Sequence, residues 1–133
     1  MRFMVDTHIL IWTLNNPSRI QGDITKILQS ENSEVFYSQI SLWEIAIKYG
    51  LGKLDLKGHS PEEFYQAVEQ SFMQCEALDN EDLISSHRLP QKHKDPFDRM
   101  LVWQCIKEGH TLLSADEKLE EYRKNGLQLV LNT

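Results

Sequence analysis

The sequence predicts an α/β fold in which a central parallel sheet is flanked by helices. Short β-prone runs alternate with helical stretches along the whole chain, and this alternation is typical of a parallel sheet with crossover helices. The length of 133 residues corresponds to one domain, and 41% hydrophobic residues are enough to form a core. Since no repeat, low-complexity tract or linker interrupts the pattern, we predict a single domain over residues 1–133.

Five elements are predicted in the first half of the chain. Helices are assigned where apolar residues recur every third or fourth position, and turn-forming residues such as Asn15-Asn16-Pro17 and Gly50 end them. Residues 51–59 contain two glycines and two lysines, which favours a loop or lid. In order, the elements are a strand at 2–6, helices at 8–14 and 20–31, a strand at 34–38 and a helix at 41–49.

In the second half, capping residues mark where helices begin. Ser60 and Pro61 stand at the N-cap and first position of one helix, and Asp95 and Pro96 open another that Gly109 ends. In order, we predict a helix from 60 to about 73, a weak strand at 75–78, helices at 80–89 and 97–108, a strand at 111–114, a helix at 116–124 and a strand at 127–131.

Composition excludes several classes of protein. A net charge of −6 offers no general attraction for nucleic acid, so the acidic surplus either serves solubility or includes acids gathered around cations. Cys75 and Cys105 are too few for a disulfide framework and too far apart for a zinc knuckle, and we expect reduced, buried thiols. The longest apolar run, residues 9–12, cannot span a membrane, and no cleavable signal is apparent, so we expect a cytoplasmic protein.

Acids occur where strands end and helices begin. The carboxyl ends of parallel strands share one edge of a sheet, and ligands bind there. A few carboxylates at such an edge suit Mg²⁺, and a bound ion of this kind can assist phosphodiester hydrolysis. The candidate acids are Asp6, Glu44, Asp95, Asp98 and Asp116.

Helix capping is the alternative explanation for each of these acids. The segments 41–44 and 95–98 both match a capping box, and Asp116 alone is a good N-cap. Asp6 is the hardest to explain in this way, because it interrupts an apolar passage in which an unpaired carboxylate is costly. Both interpretations stay open at this point.

A basic run, RLPQKHK at residues 88–94, stands directly before Asp95. Most such runs are only solvated, but this one lies next to the candidate acids and could hold a phosphate backbone by charge. The five histidines show no metal-binding spacing, and the three tryptophans fall on predicted helices, so we expect both sets to be structural. The candidate contacts to a phosphate backbone are Lys48, Lys92, Lys94 and Arg99.

Several segments together resemble the PIN-domain family, and within it the VapC-type toxins of bacterial toxin–antitoxin pairs. They stand in the family's order and span nearly the whole chain, which makes the resemblance specific. The segments are MVDTHILIW at 4–12, SQISLWEIAIKYGLGKL at 38–54, HKDPFDRMLVWQCIKEG at 93–109, TLLSAD at 111–116 and LVL at 129–131.

The resemblance implies a PIN-like three-layer sandwich and metal-dependent cleavage of RNA, with Mg²⁺ or Mn²⁺ as the cofactor. It also implies a homodimer and a small antitoxin protein as partner. Thr7 and Ser114 would assist the carboxylates, and Asp95 would be a cap or an auxiliary acid. The metal-binding and catalytic acids carried over from the family are Asp6, Glu44, Asp98 and Asp116.

Three alternatives to a nuclease fit the sequence less well. A haloacid-dehalogenase-like phosphatase needs a second acid two residues after the first, where this chain has His8. A response-regulator receiver needs paired acids near the first strand, where Asp6 lies between Val5 and Thr7. A catalytically silent PIN-like module that acts through protein partners is disfavoured by the intact set of four acids but stays open.

Overall fold

Five parallel strands form one sheet in the computed structural model, which describes residues 1–132. Their order across the sheet is β3-β2-β1-β4-β5, so β1 lies in the middle and pairs with β2 on one side and β4 on the other. The strands are β1 Arg2–Val5, β2 Glu34–Ser38, β3 Gln74–Glu76, β4 Thr111–Ser114 and β5 Gln128–Leu131. The predicted parallel α/β architecture is confirmed.

The strand order places a crevice at the carboxyl edge between β1 and β4. From β1 the chain proceeds outward to β2 and β3, and then returns across the sheet to β4 and β5. The connections that leave β1 and β4 therefore diverge, and ligands bind at such a switch point. The N–H of Asp6 donates to the carbonyl of Leu113 at 2.9 Å, which ties the end of β1 to the end of β4.

Helices cover both faces of the sheet. Phe3 and Val5 of β1 belong to one buried cluster and Met4 belongs to the other, as the two-residue repeat of a strand requires. The expected three-layer sandwich is confirmed, and both faces carry apolar side chains because both are covered. The helices are α1 Thr7–Asn15, α2 Gly22–Gln29, α3 Gln39–Gly50, α4 Pro61–Glu69, α5 Asn80–Ser85 and α6 Pro96–Glu108, with 3₁₀ turns at Pro17–Arg19, Ser86–Arg88 and Glu117–Asn125.

The capping box expected at residues 41–44 is wrong. The last residue of β2, Ser38, is the N-cap of α3, and its hydroxyl accepts from the N–H of Ile40 at 3.1 Å. The strand passes into the helix without a loop, so Ser41 and Glu44 lie within the helix and their side chains are free for other contacts. The capping box between Ser60 and Glu63, in contrast, is present at the start of α4.

Several predicted boundaries also change. The helix predicted at 116–124 is a 3₁₀ helix, and its buried residues Leu119 and Tyr122 stand three apart, the repeat of that helix. The helix that begins after Ser60 ends at Glu69 rather than near 73. The predicted loop at 51–59 contains turns without helix or strand, and Leu56 anchors it in the core.

Two expectations about side-chain burial are wrong in part. Cys105 is buried as expected, but Cys75 is exposed because it lies in β3 at the edge of the sheet. Trp43 does not pack in the core: it is 60% exposed and meets the ring of Phe97 edge-on, with centroids 5.7 Å apart. Among residues 1–132, no helix combines the length and apolar character that crossing a membrane would require.

Candidate metal centre

Three acids from distant parts of the chain line one cleft of about 470 Å³ at the carboxyl edge of the sheet. Asp6 follows β1, Asp98 lies in the first turn of α6, and Asp116 follows β4. The topology is what brings them together, because α6 precedes β4 and both lie beside the central strand. Glu44 and Asp95 are not part of the lining, but their charges act on it, as the following contacts show.

Asp6 is the most buried of these acids, with 4% of its surface exposed. Burial raises the pKa of Asp6 above its ordinary value, while hydrogen bonds from the Ser114 hydroxyl and the N–H of Ile9 oppose that shift. The Ile9 bond, 2.9 Å to Oδ1, makes Asp6 the N-cap of α1. A buried carboxylate held by these neutral donors is costly unless a cation approaches it.

Glu44 is buried in the second turn of α3, where it is 2% exposed. Its Oε1 accepts from the hydroxyl of Thr7 at 2.5 Å, and that hydroxyl lies 2.9 Å from the hydroxyl of Ser41. The ammonium of Lys48, one turn along α3, pairs with Oε2 of Glu44 and lies 4.0 Å from Oδ2 of Asp95. Thr7 and Lys48 therefore hold both oxygens of this carboxylate in place.

Asp95 and Asp98 stand at the beginning of α6 and have different roles. Asp95 is the N-cap, since its Oδ1 accepts from the N–H of Phe97 at 2.8 Å and from that of Asp98 at 3.4 Å. Asp98 points its own carboxylate into the cleft. Burial, followed by the charges of Asp95, Asp6, Glu44 and Asp116, raises the pKa of Asp98 to about 8.

His93 is a residue of this site that sequence reasoning missed. Its Nε2 lies 3.0 Å from Oδ2 of Asp116 and 3.6 Å from Oδ2 of Asp98. Its Nδ1 accepts from the N–H of Asp95 at 3.1 Å, so in the neutral ring the proton is on Nε2 and is donated to Asp116. The only signal available was its position just before the DPFD segment, because its partner Asp116 is 23 residues away in the sequence.

The contacts of Asp116 show how one acid serves both as a cap and in the cleft. Its Oδ1 accepts from the N–H of Lys118 at 3.0 Å, which caps the 3₁₀ helix, and its Oδ2 faces His93. Partial burial acts to raise the pKa of Asp116, but the hydrogen bonds from His93 and from the N–H of Lys118, together with the charges of those two residues, outweigh it, and the pKa lies below its ordinary value. The hydroxyl of Ser114 accepts from the N–H of Asp116 at 3.0 Å and so connects Asp116 with Asp6.

The donor set fits a divalent cation. Within the described residues, Lys48 pairs with Glu44 and Asp95, and His93 pairs with Asp98 and Asp116. Asp6 forms no ion pair there, so negative charge is in excess. Carboxylate oxygens of Asp98 and Asp116 and a ring nitrogen of His93 lie within 4.8 Å of one another. Carboxylate oxygens in this arrangement are what Mg²⁺ and Mn²⁺ prefer, and an ion would offset the repulsion among them.

The four basic candidates for RNA contacts differ in their surroundings. The guanidinium of Arg99 donates to the carbonyls of Pro90 at 2.8 Å and Leu89 at 3.1 Å, so it holds the basic loop against α6. Lys48 is occupied by Glu44, as described above. Lys92 and Lys94 are exposed in the loop before α6, and their ammonium groups form no ion pair within residues 1–132.

The sequence of this chain also matches a known protein family. The sequence matches the PIN domain over residues 3–125. The chain belongs to the PIN domain family. Members of this family are generally nucleases that use a divalent metal ion. No curated protein matches this sequence.

Solved structures share the fold of this PIN domain at low sequence identity. The VapBC2 complex of Rickettsia felis, determined bound to a DNA fragment from its promoter, contains a chain with a TM-score of 0.71 and 19% identity, with 98% of each chain covered. A chain of VapBC-1 from nontypeable Haemophilus influenzae has a TM-score of 0.66 and 18% identity, again with 98% of each covered. A domain of a functionally unknown protein from Methanocaldococcus jannaschii has a TM-score of 0.62 and 12% identity, with 98% of this chain and 89% of that chain covered.

Proposed function

We propose that this PIN domain is a VapC-type endoribonuclease that hydrolyses RNA phosphodiesters with Mg²⁺ or Mn²⁺ held by Asp6, Glu44, Asp98 and Asp116. The observation that carries the proposal is the excess of carboxylates in one cleft. Acids that follow β1 and β4 and an acid in the first turn of α6 meet there, and burial, followed by repulsion from the neighbouring carboxylates, raises the pKa of Asp98. Stability alone would not favour such a cluster.

The acids and the hydroxyl groups of the proposed site have separate roles. Asp6, Glu44, Asp98 and Asp116 would hold the ion, three of them from the lining of the cleft and Glu44 from a buried position on α3. Ser114 and Thr7 orient carboxylates by hydrogen bonds, and Asp95 caps α6 so that Asp98 is held at the cleft. When bound, such an ion neutralises charge that develops on the phosphate and makes water a better nucleophile at neutral pH.

The proposed hydrolysis does not require a covalent enzyme intermediate. Water attacks the phosphorus, the phosphodiester bond breaks, and the departing ribose oxygen takes a proton. The exposed Lys92 and Lys94 lie in the loop next to this cleft, where they would contact the phosphate backbone. Such contacts position RNA without selecting its sequence.

The partners of this protein are also part of the proposal. The two VapBC neighbours are complexes, which supports a small antitoxin protein as a partner of this chain. We further propose a homodimer, a cytoplasmic location and a single domain over residues 1–133. Sedimentation of the purified protein, alone and with an antitoxin encoded beside it, would test the assembly.

Metal titration and RNA cleavage test the catalytic proposal. Asp98→Asn should abolish cleavage of single-stranded RNA in Mg²⁺, whereas Asp95→Asn should reduce it less, since Asp95 acts as a cap. Asp79→Asn is a matched control, because Asp79 is an exposed N-cap of α5 outside the cleft. Mg²⁺ should also raise the melting temperature of the native protein but not that of Asp6→Asn.

Two results would count against the proposal. If Asp95→Asn were the more damaging change, the wrong acid has been assigned to the ion. If the native protein bound Mg²⁺ and cleaved no RNA, the alternative of a silent PIN-like binding module that acts through protein partners would be preferred.

A further inference from the structure

One wall of the acidic cleft is not acidic. The residues that line the cleft include His8, Trp12 and Arg19 beside Asp6, Asp98 and Asp116. The guanidinium carbon of Arg19 lies 4.1 Å from the centre of the Trp12 ring. The ring of His8, one turn earlier on α1, lies 6.0 Å from that of Trp12. We call Trp12 and Arg19 the stacked pair.

The stacked pair is accessible and its charge is available. Both residues line the cleft, where Arg19 is exposed and Trp12 is partly exposed. Within residues 1–132 the guanidinium forms no salt bridge, even though acids line the same cleft. A planar cation on an aromatic face can stack on a base and can donate to a phosphate at the same time.

The backbone around Arg19 is held firmly to the carboxyl edge of the sheet. The side chain of Asn132 donates to the carbonyl of Arg19 at 2.9 Å and accepts from the N–H of Gln21 at 2.7 Å. The N–H of Asn132 donates to the carbonyl of Ser114 at 2.8 Å. Ser114 also contacts Asp6 and Asp116. Asn132 therefore connects the backbone of Arg19, through Ser114, to two acids of the cleft.

We propose that the stacked pair is the docking site for one unpaired nucleotide of the RNA, with its base stacked against Trp12 and Arg19 and its phosphate bound by the Arg19 guanidinium. This inference rests on the proposed function, since it names the substrate of the same cleft. A base can stack on a protein surface only when it is outside a duplex, so the site selects single-stranded RNA. It also differs from the sequence-based candidates, of which Lys48 and Arg99 are occupied by protein groups.

A second stacked cation elsewhere in the chain provides the matched control. The ammonium of Lys107 lies 5.7 Å from the centre of the Trp103 ring on α6, and neither residue lines the acidic cleft. Lys107→Gln and Arg19→Gln each remove one positive charge next to an indole. A difference between the two variants therefore reports the position of the charge and not the net charge.

The experiment measures binding of a fluorescein-labelled single-stranded RNA hexamer of mixed sequence by anisotropy. Ca²⁺ replaces Mg²⁺, because carboxylates bind both ions, and a gel confirms that the RNA stays intact. We expect Arg19→Gln and Trp12→Leu each to weaken binding about tenfold, the scale of losing one base stack. Trp12→Phe, which keeps an aromatic face, and Lys107→Gln should stay within about threefold of the native protein.

Calorimetry with Mg²⁺ alone separates the two proposals. The affinity of the protein for Mg²⁺ should be unchanged in Arg19→Gln and Trp12→Leu, because neither side chain is a ligand of the proposed ion. Circular dichroism would show whether each variant folds. If Trp12→Leu does not fold, the comparison is made with Arg19→Gln and Trp12→Phe. If the native protein binds the hexamer and the stacked-pair variants weaken it, the docking site stands even when no RNA is cleaved.

Three results would overturn the docking site. The first is a native protein that does not bind the hexamer, and the second is a duplex of the same length that binds as tightly as the single strand. The third is cleavage and Mg²⁺ binding as proposed, with Arg19→Gln and Lys107→Gln equal in hexamer affinity. In that last case the nuclease proposal survives and the docking site does not.

Discussion

Two histidine–carboxylate pairs in this protein make the same type of contact, from Nε2 of the ring to a carboxylate oxygen, but have different surroundings. In the cleft, Nε2 of His93 lies 3.0 Å from Oδ2 of Asp116. On the other side of β1, Nε2 of His110 lies 2.7 Å from Oε1 of Glu76 at the end of β3. His110 is buried against the ring of Phe36, with centroids 4.9 Å apart.

The neighbouring charges distinguish the two pairs. Glu76 has Arg2 at 3.8 Å, so a cation of the protein already stands beside that carboxylate. Asp116 instead shares its cleft with Asp6 and Asp98, which add negative charge. A histidine–carboxylate hydrogen bond is therefore not in itself a sign of function. The charge around each pair is the informative feature, because an arginine stands beside Glu76 whereas two further carboxylates line the cleft of Asp116.

The largest expected difference between the two pairs is in catalysis. Asp116→Asn should reduce RNA cleavage about a thousandfold, since a metal ion supplies several kcal/mol of charge stabilisation in the transition state. Glu76→Gln should keep cleavage within about threefold, since Glu76 is outside the cleft. Initial rates at saturating Mg²⁺ would measure both, and comparable losses would remove the distinction drawn here.

The two histidines should separate by metal affinity. His93→Ala should weaken Mg²⁺ binding about 10–100-fold, because residues that orient a ligating carboxylate typically contribute that much. His93→Gln, whose amide can donate to Asp116, should recover part of the loss. His110→Ala should lower the melting temperature and leave Mg²⁺ affinity unchanged, as isothermal calorimetry would show. Equal metal affinity in His93→Ala and the native protein would mean that His93 does not position Asp116.

The stability of the metal-free protein should depend on pH through Asp98. Its pKa is raised from 3.8 to about 8, so the folded state holds this proton more tightly than the unfolded state does. That contribution is fully present below about pH 4 and is lost as the pH rises toward 8. We expect the loss to be on the order of 5 kcal/mol and to be much smaller in Asp98→Asn, where the raised pKa of Asp6 remains.

Melting in EDTA at pH 5 and pH 8 measures this effect. Asp95→Asn should give an intermediate pH dependence, since the charge of Asp95 follows burial as the cause of the raised pKa. Mg²⁺ at pH 8 should restore the stability of the native protein but not further stabilise Asp98→Asn. An identical pH dependence in the native protein and Asp98→Asn would contradict the assignment.

The smallest effect is expected at Arg2. The Arg2–Glu76 contact is 3.8 Å long and the Arg2 side chain is 46% exposed, so water screens the interaction. Arg2→Gln should change the free energy of unfolding by less than about 1 kcal/mol and leave Mg²⁺ affinity unchanged. Urea denaturation would measure the first and calorimetry the second. A large loss of metal affinity would mean that the two pairs are coupled through the sheet.

The sequence predicted the sheet, its parallel strands and the position of most helices. Hydrophobic repeats carried that information because strands and helices bury side chains with different spacings. It was less accurate at helix starts. The capping box at residues 41–44 had the right residue types, but Ser38 stands at the end of β2 and caps α3 first.

For the candidate site, the residue types and their place after strands were sufficient to nominate the acids. Capping and metal binding looked like alternatives in the sequence, and the structure shows that one acid can cap a helix and also line the cleft. In both Asp6 and Asp116, Oδ1 accepts a hydrogen bond from a backbone N–H at the start of a helix. A carboxylate has two oxygens, so a cap does not remove an acid from the cleft.

The sequence by itself determined which chemical groups are present and that they follow the strands of a parallel sheet. Only the tertiary structure decided that His93 donates to Asp116, that Arg99 holds a loop, and that Arg19 stacks on Trp12 beside the acids. The physical reason is distance along the chain. Local patterns record the burial and capping of each segment, whereas contacts between residues far apart in sequence arise only when the order of the strands brings their ends together.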